Sequence, residues 1–292
     1  MSIKAQIEVR LLTESDVAAA LRLQQLEGWN QTQRDWRRLL ELEPTGCFTA
    51  WLGGHLVATV TTTTYGRELA WIGMMLVTAE YRRQGIARRL LSAALDYLHA
   101  AGIAVIKLDA TPVGRPVYET LGFVSEGMIE RWETIAQAQI VKNDQVPDAA
   151  QSLSAEIREQ ILALDRLAYG VDRARLLDAL IADSNIAPQV VMSTNRMLQG
   201  YAMARRGLIA SYVGPIIAED ERVALTLLDR ILAQLKGEQI YLDFHTGYAV
   251  ASEELLKRGF IKQRELVRMH YGNEKVATTS PQVFAIAGPE VG

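Results

Sequence analysis

Cysteine, clustered histidine and long apolar runs are scarce in this sequence. Of its 292 residues only Cys47 is a cysteine, so no disulfide forms within the chain, which is typical of a reducing compartment. The four histidines lack zinc-ligand spacing, so we expect no metal. No apolar run reaches the ~18 residues that cross a bilayer, and residues 1–12 lack a signal-peptide pattern. The sequence therefore predicts a cytoplasmic protein without a membrane partner.

An excess of positive charge is also lacking. The formal net charge is -3 and the pI is near 5.9, which argues against a chain that coats nucleic acid. Hydrophobic residues make up 49% and charged residues 22%, as in a folded enzyme or binding module. A chain of this length favours two domains.

Apolar periodicity indicates an alternation of helices and strands. Residues 48–53 and 56–64 predict two strands about the Gly53-Gly54 turn, and residues 69–77 predict a third. A strand over 105–108 is reached through a helix, so it should lie parallel to the strand over 69–77. Further elements are a strand at 7–12, helices from 13, over 32–42 and from Ala87 to Gly102, and a helix beginning near Ser154.

Three blocks of sequence occur twice in the same order, which favours a tandem duplication over two unrelated βα patterns that share turn glycines. The pairs are IGMMLVTAE (72–80) with VGPIIAED (213–220), VIKLDA (105–110) with QIYLDF (239–244), and LGFVSEGMIERW (121–132) with RGFIKQRELVRM (258–269). In both copies of the third block an arginine lies nine residues after the glycine of the Gly-Phe pair. We therefore expect domains over 1–134 and 154–292, joined by a polar linker over 135–153.

Four arginines, Arg82, Arg83, Arg88 and Arg89, surround Gly85 at the start of a helix. Unpaired N–H groups at a helix start attract anions, and a glycine lets a phosphate approach the main chain. Arginine can also bind phosphate oxygens in a fork. The loop is therefore a candidate pyrophosphate site for a small ligand.

The stretch LVTAEYRRQGIARRLL resembles motif A of the GNAT superfamily of acyl-CoA-dependent N-acyltransferases, in which Arg or Gln is followed by two residues, Gly, any residue, and Gly or Ala. Here these are residues 82–87. PVYETLGF (116–123) is similar to the family's later motif that carries a tyrosine. The resemblance implies an α/β (α+β) fold with two GNAT-like domains, each a mixed, mostly antiparallel twisted sheet with flanking helices, and the second degenerate.

The resemblance also implies roles for single residues. Tyr118 would be the general acid for the leaving thiolate of acetyl-CoA, with a core or lid aromatic as the alternative. Asp109 is a candidate general base, but Asp243 holds the matching place in the second copy, so a turn-forming role is equally open. The acetyl-CoA site would comprise the main chain of Leu76 and Val77 and the loop residues Arg82, Arg83, Gln84, Gly85, Ile86, Ala87 and Arg88.

The second copy lacks the phosphate loop. It reads AEDERVA, and Glu219, Asp220 and Glu221 lie where a pyrophosphate would bind. Acidic groups there stabilise a helix but repel an anion. Leu255 replaces the tyrosine. We expect one acetyl-CoA per chain, and a second domain that supplies acceptor-pocket walls, replaces a dimer partner, or only stabilises the first.

The acceptor side departs from a pattern that is common in the family. ATPVGRP (110–116) replaces the asparagine that many relatives carry before the tyrosine helix. The acceptor, a small-molecule or peptide amine, would contact Trp29, Asn30 and Trp71, with Gln31, Trp36 and Tyr65 as further candidates. The alternatives are an acyl-CoA-binding module without turnover and a phosphate-reading nucleic-acid module. Either a monomer or a homodimer is compatible with the sequence.

Overall fold

The computed structural model describes residues 7–136, 153–246, 249–272 and 282–292. Its first half begins with a strand and two helices, and continues with a three-stranded antiparallel unit, a long helix, a strand, a short helix and a final strand. These are β1 (Glu8–Leu11), α1 (Val17–Gln25), α2 (Gln33–Leu42), β2 (Phe48–Leu52), β3 (His55–Tyr65), β4 (Leu69–Val77), α3 (Ile86–Ala100), β5 (Val105–Ala110), α4 (Arg115–Glu119) and β6 (Val124–Ile135).

The second half repeats the order from α1 onward and adds one strand at its end. Its elements are α5 (Ala155–Tyr169), α6 (Ala174–Asp183), β7 (Gln189–Met192), β8 (Leu198–Arg205), β9 (Ser211–Ala218), α7 (Glu221–Gln234), β10 (Gln239–His245), α8 (Ala249–Lys257), β11 (Ile261–Tyr271) and β12 (Val283–Ala285). The shared order confirms the predicted duplication. Most of the predicted linker lies outside the described residues.

Local sequence patterns account for most of these elements. The bounds of β4 match the prediction, and β4 pairs parallel to β5 as expected. Helix α3 buries one face, with Leu90, Leu91, Ala94 and Leu98 all inaccessible to solvent. Gly102 follows that helix with φ of 72°, a left-handed conformation that glycine adopts without cost. Ser154 accepts a hydrogen bond from the Ile157 N–H and caps α5.

The two halves share a single twelve-stranded sheet in the order β1-β2-β3-β4-β5-β11-β6-β10-β9-β8-β7, with β12 added on β9. The predicted α/β fold with a mixed, mostly antiparallel sheet and flanking helices is confirmed, and the strands of the two halves form one continuous sheet. The last long strand of each half lies within the sheet of the other half: β11 pairs with β5, and β6 pairs with β10. The predicted domain limits divide the chain by sequence position. In the folded protein, each half contributes its last long strand to the part of the sheet that the other half forms.

Candidate functional site

A cleft opens in the first half where two parallel strands part. Strands β4 and β5 pair only over residues 69–71 and 105–107. Beyond that point lies a pocket of about 480 Å³, including its open mouth. The side chains and main chain that line it come from both halves: Trp29, Gln31, Ile72, Gly73, Met74, Met75, Asp109, Thr111, Tyr118, Arg264, Leu266, Pro289 and Glu290.

A bulge shapes the β4 wall of this pocket. The pairing of β3 with β4 shifts register between Thr59 and Thr61, and Met74 has φ of 48°. The Thr59 hydroxyl donates to the Met74 carbonyl at 2.8 Å, which fixes the irregular turn of the chain. Bulges of this kind commonly lie beside active sites, because they redirect main-chain and side-chain groups.

The arginine-glycine loop lies between the end of β4 and the start of α3. Arg83 and Gly85 have φ of 61° and 77°, and a Cβ at Gly85 would meet no atom within 4 Å. Within the described residues, the N–H groups of residues 83–88 donate to no protein carbonyl. The loop therefore presents consecutive free donors beside open space at a helix N-terminus, the arrangement that binds phosphate groups.

The predicted acetyl-CoA residues divide into main-chain and side-chain candidates. Arg82, Arg83, Gln84 and Arg88 are exposed, and the Arg82 guanidinium bonds the Val77 carbonyl at 2.9 Å and pairs with Glu27. Ile86 is 1% exposed and packs in the core, so it can offer a ligand only its N–H. At the end of β4 the main chain of Leu76 and Val77 pairs with β3 on one side only. Of the remaining loop residues, Gly85 borders open space and Ala87 is half-buried.

Tyr118 is carried on α4 and lines the pocket. Its ring packs edge-on against Phe123, with ring centroids 5.9 Å apart. Its hydroxyl bonds no residue in the part of the chain that the structure describes, and is therefore available to a ligand. Burial raises the pKa of Tyr118, so the phenol stays protonated at neutral pH. This state suits a proton donor.

Asp109 is bound in a buried ion pair. Arg268 of β11 donates to both carboxylate oxygens at 2.9 Å, and both side chains are at most 1% exposed. Burial raises the pKa of Asp109, against the opposing charge of Arg268. The second half repeats the arrangement in reverse, because Arg131 of β6 binds both oxygens of Asp243 at 2.7 and 2.6 Å. The repeated aspartates and arginines thus join the halves, and the role of Asp109 as a general base stays a prediction.

Two of the predicted acceptor residues have structural contacts instead. Asn30 is buried, accepts from the Ile209 and Ala210 N–H groups and donates to the Ala210 carbonyl. Trp71 is fully buried and donates to the Pro289 carbonyl at 2.9 Å. These bonds use their polar groups, which corrects their assignment to the acceptor pocket. Trp29 and Gln31 line the pocket, whereas the further candidates Trp36 and Tyr65 are buried in the core.

The second half supplies a wall of the pocket, which is one of the roles expected for it, through residues that the sequence did not single out. Arg264 and Leu266 come from β11, and Pro289 and Glu290 follow β12. A Cβ on Gly73 would lie 2.5 Å from the Glu290 carbonyl oxygen, so glycine at this position lets the C-terminal segment cross β4. One signal was present in the repeat: Arg264 stands where the first copy has Gly127. The terminal GPEVG carries no comparable signal.

The corresponding cleft of the second half is filled by the chain itself. Strand β12 pairs with Ile216 and Ile217, the repeat equivalents of Met75 and Leu76, and the Ile286 N–H donates to the Asp243 carbonyl at 3.0 Å. At the start of α7 the Asp220 carboxylate accepts from the Val223 N–H at 2.8 Å. Leu255, which replaces the tyrosine, is buried in the core. Protein groups thus occupy the places that are open in the first half.

Comparison with known proteins identifies the family. An acetyltransferase (GNAT) family model matches residues 14–123, and an acetyltransferase (GNAT) domain model matches residues 161–285. The chain belongs to the GNAT superfamily. As a tandem GNAT protein it is 27% identical to the uncharacterised N-acetyltransferase YitH of Bacillus subtilis, over 98% of both chains. It is 26% identical to the holothin acyltransferase of a Pseudoalteromonas species, over 91% of this chain and 88% of that one. It is an acyltransferase.

Solved structures share the fold. An acetyltransferase candidate of Pyrococcus horikoshii superposes with a TM-score of 0.83 at 22% identity, over 100% of this chain and 98% of that one. A tandem GNAT protein from the clavulanic acid biosynthesis pathway gives a TM-score of 0.62 at 15% identity, over 92% of this GNAT chain and all of that one. In the described ranges, no helix is long and apolar enough to cross a membrane, and no group of three or more His, Cys, Asp or Glu side chains is arranged to hold a metal.

Proposed function

We propose that this tandem GNAT protein moves the acetyl group of acetyl-CoA to a primary amine of a small molecule or peptide, by direct attack of the amine on the thioester. One observation carries the proposal. The loop with the free N–H groups of residues 83–88 directly follows the end of β4, and Tyr118 lines the pocket that lies beyond the paired part of β4 and β5. The loop would bind the pyrophosphate, and the one-sided edge of β4 would bind the pantetheine along Leu76 and Val77.

The chemistry follows from these positions. The uncharged amine attacks the carbonyl carbon and forms the new C–N bond, and the C–S bond then breaks. Tyr118 gives its proton to the departing thiolate, and the proton that the amine loses restores the phenol through solvent at the pocket mouth. Most of the acceleration would come from holding the amine and the thioester together. Because Asp109 is paired with Arg268, it has no part in this scheme.

Release of free CoA tests the proposed reaction. With acetyl-CoA and a panel of primary amines, we expect amine-dependent thiol release and an acetylated product of matching mass. Binding of acetyl-CoA without turnover on any amine would indicate a CoA-binding module and contradict the enzyme. Failure to bind acetyl-CoA at millimolar concentration would overturn the site itself.

The Tyr118→Phe variant tests the proton donor. We expect kcat to fall roughly ten- to thousand-fold, because the thiolate leaves without a positioned acid. Affinity for acetyl-CoA should change little, since the ring remains. Tyr271→Phe is the matched control, because Tyr271 packs on the same Phe123 ring, with centroids 5.5 Å apart, but does not line the pocket. Equal kcat in both variants would show that Tyr118 is only a packing residue.

A further inference from the structure

The pocket contains three charged side chains, and two of them are already paired. Asp109 is bound by Arg268. Glu290 is 2% exposed and accepts from Arg205 at 2.8 Å through one oxygen and from Gln31 at 2.9 Å through the other. Both carboxylates are therefore compensated within the protein.

The third charged side chain, Arg264, is not compensated. Its side chain forms no hydrogen bond or ion pair with any residue in the described ranges, and its Nε is buried without a partner. Burial and the positive charge of the nearby Arg131 lower the pKa of Arg264 from 12.5 to about 10. The guanidinium is therefore still a cation at neutral pH. The side chain as a whole is half-buried, and a buried guanidinium nitrogen without an acceptor is unfavourable unless a ligand supplies one.

The position of Arg264 results from an irregularity in the exchanged strand. The pairing of β11 with β6 shifts register between Lys262 and Arg264. Bulges redirect side chains, and here the side chain after the bulge lines the pocket beside Tyr118 and Glu290. The cation therefore lines the pocket from a wall that the second half provides.

We propose that the acceptor is an amine that also carries a carboxylate, and that the Arg264 guanidinium binds this carboxylate. This inference rests on the proposed function. A guanidinium forms two parallel hydrogen bonds to a carboxylate, which fixes the orientation of the acceptor as well as holding it. Glu290 strengthens the match, because its bound oxygens retain lone pairs that can receive the amine end. The pocket then offers one cation and one anion to an amino-carboxylate.

Acceptors that differ only in whether they carry a carboxylate test the proposal. We would compare amino acids with their amides, such as β-alanine with β-alaninamide, at saturating acetyl-CoA. For the best amino acid of the panel, we expect kcat/KM at least tenfold above that of its amide. Arg264→Gln should lower the value for the amino acid ten- to a hundredfold, mainly through KM, and change that for the amide less than threefold. Arg264→Lys should recover part of the loss.

Controls separate this inference from the proposed reaction. Lys262→Gln changes an exposed cation on the other side of the same bulge and should leave both acceptors unaffected. Equal use of amino acids and amides by the unaltered protein would overturn the carboxylate site while leaving the acetyl transfer intact. A rise in KM for acetyl-CoA in Arg264→Gln, or an equal loss for both acceptors, would also overturn it.

A readout without turnover covers the case of a poor acceptor panel. N-acetyl amino acids, as products, should raise the Tm of the unaltered protein in a dose-dependent way, whereas their amides should not. Arg264→Gln should abolish the difference while retaining the unliganded Tm to within a few degrees. If no N-acetyl amino acid stabilises the protein and no amino acid is turned over, the carboxylate assignment is wrong.

Discussion

At the scale of single residues, the aspartate and arginine that recur in both halves are used for assembly. Asp109 with Arg268 and Asp243 with Arg131 are equivalent pairs related by the internal repeat, and each joins one half to the other. Aromatic rings lie against both arginines: Arg268 is 4.7 Å from the Trp71 ring, and Arg131 is 5.1 Å from the Tyr241 ring. Such cation–π contacts add to buried pairs because water is excluded.

The two aspartates allow a matched test. Asp109→Asn and Asp243→Asn should each lower the free energy of unfolding by about 3–5 kcal/mol, because each leaves a buried guanidinium uncompensated. Denaturant unfolding measures this loss. Turnover per folded molecule should be similar in the two variants, since neither carboxylate takes a proton from the amine. A loss of turnover of about a thousandfold in Asp109→Asn alone would identify that residue as the general base and contradict the structural role.

At the scale of elements, the loop before α3 and the cap of α7 show how one helix start binds a ligand and the other does not. In the first half the start of the helix is preceded by Gly85, and its N–H groups are free. In the second half the cap is Asp220, which satisfies the Val223 N–H from within the protein. A carboxylate cap stabilises its helix by about 0.5–2 kcal/mol but occupies the place where a phosphate oxygen would bind.

Two glycines at opposite ends of α3 allow an effect on ligand binding to be distinguished from an effect on stability. Gly85 and Gly102 have φ of 77° and 72°, and a Cβ at either would meet no protein atom. Gly85→Ala and Gly102→Ala should therefore cost a similar amount of stability, about 1–2 kcal/mol. Gly85→Ala should in addition raise KM for acetyl-CoA roughly tenfold or more, because the methyl enters the space that a pyrophosphate needs.

Steady-state kinetics and thermal unfolding of both variants measure the two effects. Similar KM values for acetyl-CoA in Gly85→Ala and Gly102→Ala would exclude the loop as the pyrophosphate site. A much larger loss of Tm in only one variant would show that the two positions are not matched, and the comparison would then be made on KM at a temperature where both variants are folded.

At the scale of the whole molecule, the exchange of β6 and β11 makes the halves interdependent. Both neighbours of β11, the strands β5 and β6, belong to the first half, and both neighbours of β6, the strands β11 and β10, belong to the second, so neither half can complete its sheet alone. The same exchange brings Arg264 and Leu266 to the pocket, and the C-terminal segment brings Pro289 and Glu290. Of the roles expected for the second half, the supply of pocket walls agrees with this lining. Whether the protein is a monomer or a homodimer stays a prediction.

The asymmetry between the halves predicts a binding ratio. Calorimetric titration with acetyl-CoA should give one site per chain, because β12 covers the equivalent edge of β9 and Asp220 caps the equivalent helix. Gly85→Ala should lower the affinity of that single site and reveal no second binding site. A ratio near two would mean that β12 and its following segment are displaced by ligand, and that the second half is a binding site as well.

The sequence alone was sufficient for features that depend on neighbouring residues. The bounds of β4, the apolar face of α3 and the loop at Gly85 follow from periodicity and from the chemistry of a short contiguous segment. The repeat, read from three blocks, predicted the equal order of elements in the halves. These are local properties, because hydrogen bonds within a helix or a tight loop form between residues a few positions apart.

Only the tertiary structure decided which half each strand joins and what closes the acceptor pocket. The main-chain N–H and C=O groups along the edge of β5 could pair with either of the two similar final strands, β6 or β11. Because β5 pairs with β11, Arg264 lines the same pocket as Tyr118, although the two residues are more than 100 positions apart in sequence. The same packing buries Trp71, Asn30 and Asp109, which composition and motif position made candidates for the site. Pairing between distant strands depends on the packing of both sheet faces at once, and no short stretch of sequence records it.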